Sequence, residues 1–450
     1  MKKKSIVWII LFLVIIVSPR VTYFFLSAYV DSENYEKRIR KTKPSFTLNT
    51  YSDFSKEYEA YFNDHIPFRN QLIYANSWIN YYIFHQSSSD KVALGKDGWL
   101  FYCNEKDGNP VEQSLGYWKF TDIQLENITK DLLATQRILN SLGVEFVFFI
   151  APNKESIYMD KLPQYYEKQD EYTSTDQLVK YLRENTDIRV VYPKDILINT
   201  RKQYPDIELY YELDTHWNSA GGYLGAASLA EELGIMMPDM SELLLEPYVS
   251  VERDLEKMLN LRLESKNIDY NIDKISDLNT EVLEWDFDNA FLFHTPSADR
   301  RRLFVRRDSF STHMAPNLAT QFESSMWVHA KNFREQDFFD FDADIFVLEQ
   351  SERYVGRECR ISLVNISVEK LEDGSRNIII RPAIKELNLQ YSSIYKKAET
   401  SNTEDTIQYA KTLNQPVIVN VPEKESGEIW IEVYTDESLT LLWDELKMTY

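Results

Sequence analysis

Residues 144–151 constrain the fold most. They are apolar except for Glu145 and of strand length, the pattern of a strand buried on both faces. A helical pattern precedes them over residues 121–142, with Leu125, Ile128, Leu132, Leu133 and Ile138 on one side and Gly143 as its stop. Residues 188–192 read as another strand. Residues 218–233 read as a helix stopped by Gly234, and residues 303–305, 326–329 and 345–348 as further short strands. Strands that alternate with helices predict an α/β fold, a parallel sheet with helices on both faces. Sites in such sheets lie at the carboxyl ends of the strands. Two turns that follow predicted strands, Pro152-Asn153-Lys154 and Asp308-Ser309, are placed to face that edge.

The chemistry rests on Leu213-Asp214-Thr215-His216-Trp217-Asn218, taken with Arg307-Asp308-Ser309-Phe310. Two residues apart on an extended segment, Asp214 and His216 project to the same side. A carboxylate so placed orients an imidazole, and an oriented imidazole takes the proton of a serine hydroxyl. Ser309 follows an apolar run and precedes a helix-compatible stretch. A strand-to-helix turn there exposes a nucleophile at a helix start, whose dipole favours developing negative charge. The Ser309 N–H is then a natural oxyanion donor, and Asn153 is the candidate for the second. An Asp-x-His pair alone also suits a turn or a helix cap, as does Asp308-Ser309. His65 beside Asp64 is better suited to a turn.

Composition removes other classes. No Cys/His cluster has zinc spacing and no glycine-rich phosphate loop occurs among only 12 glycines, so neither a metal nor a cofactor is expected. A net charge of −21 disfavours nucleic acid as a partner. Cys103 and Cys359 are far apart in sequence, which leaves a disulfide between them open.

Five segments in order carry a resemblance. They are Tyr61-Phe62-Asn63-Asp64-His65-Ile66-Pro67-Phe68-Arg69, then Gly95-Lys96-Asp97-Gly98-Trp99-Leu100-Phe101-Tyr102, then residues 150–158 around Pro152-Asn153-Lys154. Asp214-Thr215-His216-Trp217-Asn218 and Asp308-Ser309-Phe310-Ser311 follow. Together they resemble the SGNH-hydrolase-like domain of the alginate O-acetyltransferase family, which modifies exported bacterial polysaccharides. The resemblance covers roughly residues 52–355. It implies Ser309 as nucleophile, His216 as general base and acid, and Asp214 as the group orienting His216. It also implies a polysaccharide acceptor and, as acetyl donor, a multi-pass membrane acyltransferase. The family usually has Gly before Asp-Ser where this chain has Arg307. A bulky cation there narrows the site, stabilises a bound anion or marks a weakened enzyme, and the sequence leaves all three open.

At the amino end, Lys2, Lys3 and Lys4 precede apolar runs over residues 6–17 and 21–30, separated by Ser18-Pro19-Arg20. Together they approach the roughly 20 residues that span a bilayer. The expectation is an uncleaved membrane anchor over residues 1–30 with the remainder outside the cytoplasm. Residues 31–51 read as a linker, 52–360 as the catalytic domain and 361–450 as a β-rich module whose strand patterns include residues 377–382, 416–421 and 428–434. Aromatic residues at helical spacing over 53–85 read as a packed helical face, and Trp430 and Tyr434 as core. Residues 235–300 form an acidic and polar insertion between His216 and Ser309, a lid, substrate wall or surface excursion.

The function this predicts is O-acetylation of an exported polysaccharide through a Ser-His-Asp triad and an acyl-enzyme. A polysaccharide acetylesterase uses the same triad. A non-catalytic polysaccharide-binding or assembly protein is the reading from another class.

Overall fold

The computed structural model describes residues 3–30, 40–46, 51–272, 279–296, 299–384, 391–398, 405–410, 416–423, 425–434 and 442–449. The chain forms two compact units, Met1–Leu94 with Asp254–Glu264, and Gly95–Arg253 with Ser265–Tyr450.

In the first unit, α1 (Lys3–Leu26) is one helix that continues through Pro19 rather than dividing into two runs. Among the described residues no helix is long and apolar enough to cross a membrane. The expected anchor over residues 1–30 therefore finds no support. Residues 1–2, and residues 31–39 and 47–50 of the expected linker, lie outside the described residues. Helices α2 (Tyr51–Asp64) and α3 (Arg69–Ile79) follow. Their aromatic residues do not form the packed face expected. Tyr58, Phe62, Tyr74, Trp78 and Tyr82 are exposed, and Phe54, Tyr58 and Tyr61 succeed one another along the surface of α2. His65 takes the turn role, its Nδ1 2.9 Å from the Tyr61 carbonyl.

The second unit is built on a seven-stranded sheet. Its strands are β1 (Glu145–Ala151), β2 (Arg189–Val191), β5 (Glu281–Trp285), β6 (Ala290–His294), β7 (Asp299–Arg307), β8 (Phe322–His329) and β9 (Ile345–Ser351). A separate antiparallel hairpin of β3 (Leu245–Val249) and β4 (Ile268–Ile272) lies between β2 and β5 in the chain. The sheet order is β2-β1-β9-β7-β8-β6-β5. The first five of these are mutually parallel. β6 runs antiparallel to both β8 and β5, so the sheet is mixed rather than purely parallel. The insertion supplies the difference: instead of leaving the surface of the fold, it returns as β5 and β6 and extends the sheet.

Burial explains the strand patterns. Phe146, Phe148 and Ile150 of β1 enter one core with Leu125 and Leu132 of α4 (Asp122–Ser141) and Leu178 and Leu182 of α6 (Ser174–Asn185). The alternate set, Val147, Phe149 and Ala151, is equally buried, as expected for a strand covered on both faces. Helices α8 (Ser219–Glu232) and α9 (Ser311–Ala319) contribute nothing to that core, pack on each other and cover the other face. The register pairs Ser351 with Ala151 and His329 with Arg307, which brings the carboxyl ends of β1, β7, β8 and β9 to one edge.

Beyond residue 360, β10 (Val364–Lys370), β11 (Arg376–Pro382) and β14 (Val417–Val421) form one antiparallel sheet. β12 (Tyr391–Ala398), β13 (Asp405–Ala410), β15 (Gly427–Tyr434) and β16 (Leu442–Thr449) form another. Ile429, Ile431 and Val433 of β15 join the core, whereas Trp430 and Tyr434 face the other way and are only half-buried. Cys103 and Cys359 are not joined by a disulfide.

Phe304 of β7 is fully buried and stacks on Phe346 of β9 at 5.6 Å and 12°. Phe304→Ala removes that ring and leaves a cavity, so it is expected to cost about 3–5 kcal/mol. A urea melt followed by tryptophan fluorescence measures it, and an unchanged midpoint refutes it.

Candidate active site

Ser309 sits in the turn between β7 and α9, where the apolar strand ends and the helix begins. Asp214 and His216 sit at the tip of a hairpin-like loop whose base is a bridge between Tyr210 and Trp217. The fold brings these segments together. His216 Nε2 lies 2.8 Å from Ser309 Oγ, and His216 Nδ1 lies 2.7 Å from Asp214 Oδ1. A carboxylate only accepts, so the imidazole proton belongs on Nδ1, and Nε2 is left to accept from the Ser309 hydroxyl. Asp214 is buried and also accepts the His216 backbone N–H at 3.1 Å, which limits rotation of the pair. The His216 ring rests against Phe310, 5.0 Å between centroids.

Several contacts hold the two segments in register. The Trp217 indole N–H donates to the Phe310 carbonyl at 2.8 Å, tying the histidine loop to the serine turn. Trp217 is fully buried, and glycines make room for it: a Cβ on Gly225 would stand 2.7 Å from its ring. Asn218 caps α8, its Oδ1 accepting from the N–H groups of Ala220 and Gly221, both at 3.1 Å. Beneath the loop is Lys154, at the start of the short helix α5 (Lys154–Ile157). Its buried ammonium donates to the carbonyls of Tyr211 (3.1 Å), Glu212 (3.2 Å) and Asp214 (2.6 Å). It also lies over the Phe101 ring at 5.2 Å. The sequence places Lys154 in a turn that follows a strand; that its ammonium organises the distant Asp214 loop has no local signal.

Asn153 does not join the three. Its side-chain amide donates to Gln113 Oε1 at 3.2 Å and its backbone N–H to Glu352 Oε2 at 2.8 Å. Its backbone N–H and one of the two amide N–H groups are thus engaged by Glu352 and Gln113 rather than by the three. The Ser309 N–H has no partner among the described residues.

Arg307 is resolved by its surroundings. Its guanidinium turns to the carbonyls of Asp286 and Phe287, 3.2 and 2.9 Å away, and lies over the Phe291 ring at 3.9 Å. Burial pulls it down to about 10 from the usual arginine value, against nearby carboxylates that raise it. It remains a cation at neutral pH and fastens the β5–β6 turn to the serine strand.

Behind the serine turn lies a buried carboxyl, Glu349. Glu349 Oε2 accepts from the Asp308 N–H at 2.6 Å and the Ser311 hydroxyl at 3.0 Å. Burial, and then the neighbouring Asp308 carboxylate, push Glu349 well above the usual carboxylate range, so it is neutral. Asp308 accepts the N–H of Phe310 at 2.8 Å and of Ser351 at 2.7 Å. Across the site, His313 of α9 is held neutral, pushed down to about 4 by burial despite the nearby Asp269.

The hydrogen-bonded chain from Asp214 through His216 to Ser309, at the carboxyl edge of an α/β sheet, is the geometry that an activated serine nucleophile requires. The model of the family described as SGNH hydrolase-like domain, acetyltransferase AlgX, matches residues 92–332, more than half of the chain. The chain belongs to this family. The probable alginate O-acetylase AlgJ of Pseudomonas aeruginosa is 27% identical over 179 residues, which are 39% of this chain and 40% of that protein. The chain thus spans less than half the length of that relative. Among solved structures, PatB1 of Bacillus cereus is similar at a TM-score of 0.41 and 16% identity, over 58% of this chain and 96% of that one. The O-acetyltransferase domain of Pseudomonas putida AlgJ is similar at 0.38 and 16%, over 59% and 92%.

Two outcomes follow from the packing. Lys154→Met keeps the stem but leaves three carbonyls without their donor, at about 1–3 kcal/mol for each group left unsatisfied. Turnover of an acetyl ester should fall at least tenfold; wild-type turnover would show the loop is positioned without it. Glu349 has a folded pKa above its unfolded value. Its neutral form therefore contributes stability that is complete below the ordinary carboxylate range and lost as pH rises through the raised folded pKa. Glu349→Gln keeps a neutral group there and should flatten the decline in thermal midpoint on the alkaline side; an unchanged slope would rule out Glu349 as its source.

Proposed function

We propose that the protein is an O-acetyltransferase acting outside the cytoplasm on a polysaccharide, with Ser309 as nucleophile. The observation that carries this reading is the hydrogen-bonded chain from Asp214 through His216 to Ser309, at 2.7 and 2.8 Å. In the first half-reaction Ser309 Oγ attacks the acetyl carbonyl of the donor while His216 Nε2 takes the serine proton. Negative charge gathers on the carbonyl oxygen, where the uncommitted Ser309 N–H at the start of α9 stabilises it. The tetrahedral intermediate collapses, His216 returns the proton to the leaving group, and acetyl-Ser309 remains. A sugar hydroxyl then loses its proton to His216, attacks acetyl-Ser309 and departs as the ester, and the proton returns to Ser309. Asp214 keeps the imidazole proton on Nδ1 and stabilises the imidazolium in both halves.

Family membership supports the acetyl group, and the alginate named for the Pseudomonas aeruginosa relative supports a polysaccharide acceptor. The lysine-led apolar helix α1 supports export. Acetyl donors are made in the cytoplasm, so export calls for a partner, a multi-pass membrane acyltransferase that passes acetyl groups across the bilayer.

Incubating the full chain with an activated acetyl ester should add one acetyl group to Ser309, visible by peptide mass spectrometry and missing from Ser309→Ala. Adding an oligosaccharide should yield acetylated sugar; free acetate alone would make the protein an esterase. Asp214→Asn should lower turnover by about 10⁴, the size of effect seen when a triad carboxylate is neutralised. Near wild-type turnover would remove Asp214 from the mechanism.

A further inference from the structure

Alongside α9 runs a groove of about 360 Å³. Small-ligand sites occupy roughly 300–1,000 Å³, so it has room for a compact ligand. Thr312, His313 and Asn317 of α9 form one wall, with Ser219 at the start of α8; Tyr248 of β3 and Asn271 of β4 face them. The Thr312 N–H donates to the Ser309 carbonyl at 3.2 Å, so the groove begins within three residues of the nucleophile. The His313 ring edge meets Tyr211, on the loop that carries His216.

The chemistry of the lining is specific. The hydroxyls of Ser219 and Thr312 and the carboxamide of Asn271 have no partner among the described residues. Asn317 gives its Nδ2 to the His313 carbonyl at 2.8 Å, which leaves its Oδ1 to accept. The Tyr248 hydroxyl is spent on Asp269 at 2.7 Å, so Tyr248 offers the groove a half-exposed ring rather than a hydroxyl. Among the described residues no lysine, arginine, aspartate or glutamate lines the groove. Its histidine is neutral. Behind the lining stands the Asp269 carboxylate: burial works to raise it, but the hydroxyls of Tyr211 and Tyr248 and the Ser219 N–H outweigh burial and hold it below the usual range.

We infer that this groove is the acceptor subsite and that it takes an uncharged, hydroxyl-bearing sugar ring in preference to a uronate. Hydroxyl and amide groups that are not engaged by the protein pair with sugar hydroxyls, and an aromatic face stacks on the ring. A sugar carboxylate would find no cation among the described lining residues and would face the Asp269 charge, with nothing in that lining to offset its desolvation. That the bound ring is then acetylated rests on the transfer reading above. Binding itself does not.

The test separates the two. The full chain carrying Ser309→Ala, which stops turnover, is titrated by calorimetry with neutral tetrasaccharides of glucose, galactose and N-acetylglucosamine, and with tetragalacturonate. At least one neutral sugar should bind, with tetragalacturonate at least tenfold weaker. Asn271→Ala and Thr312→Val, each made in that background, should weaken neutral binding about five- to tenfold, as for one lost hydrogen bond. Ser219→Ala provides a third reading should either of the others lower the thermal midpoint. Failure of every neutral sugar to bind, equal binding of tetragalacturonate, or unchanged affinity in all the variants overturns the inference. Neutral binding as expected, in a protein whose Ser309 takes up no acetyl group from an activated ester, would count against transfer while upholding the groove.

Discussion

The buried ammonium of Lys154 is the contact on which the site depends. Its three acceptors are main-chain carbonyls of the loop carrying Asp214, so it shapes that loop without engaging the reactive side chains. A buried cation is costly unless its donors are satisfied, and here three carbonyls and an aromatic face satisfy it. Once the loop is held, Asp214 can orient His216, and the Trp217 indole can hold the serine turn at the matching height. Remove the ammonium and each later contact loses its reference point.

The sheet contributes the second constraint. Five parallel strands in register bring their carboxyl ends to one edge, so turns after β1, β7 and β9 converge although they are distant in sequence. Below that edge the neutral Glu349 and the buried Arg307 hold backbone rather than substrate. Glu349 supports the Asp308 N–H, and Arg307 gathers the carbonyls of the β5–β6 turn.

Much of this was legible in the chain. Residues 144–151, the helix before them and the helix after Asn218 follow directly from apolar period and stop residues, and the spacing of Asp214 and His216 pointed to the pair that the fold joins to Ser309. What was not legible shares a cause. Lys154, Glu349 and Arg307 act through backbone groups of residues far away in sequence, and no local pattern of side chains records a distant carbonyl or N–H partner. Asn153 shows the same limit from the other side: its position after a strand suggests an oxyanion donor, and the sequence gives no sign that its backbone N–H and side-chain amide bond Glu352 and Gln113. The composition of residues 235–300 leaves a lid, a substrate wall and a surface excursion open, and gives no sign that β6 pairs with β8 and buries Phe291 and Phe293. The aromatic residues of α2 and α3 show the limit of periodicity, which finds a helix face without saying what covers it.

The ties around the reaction centre are directed mostly at main-chain atoms: Lys154, Trp217 and Arg307 all end on carbonyls. Carbonyls are the same whatever side chain they belong to. Side chains on the loops at this edge can therefore be replaced without loosening the ties that set the spacing of Asp214, His216 and Ser309.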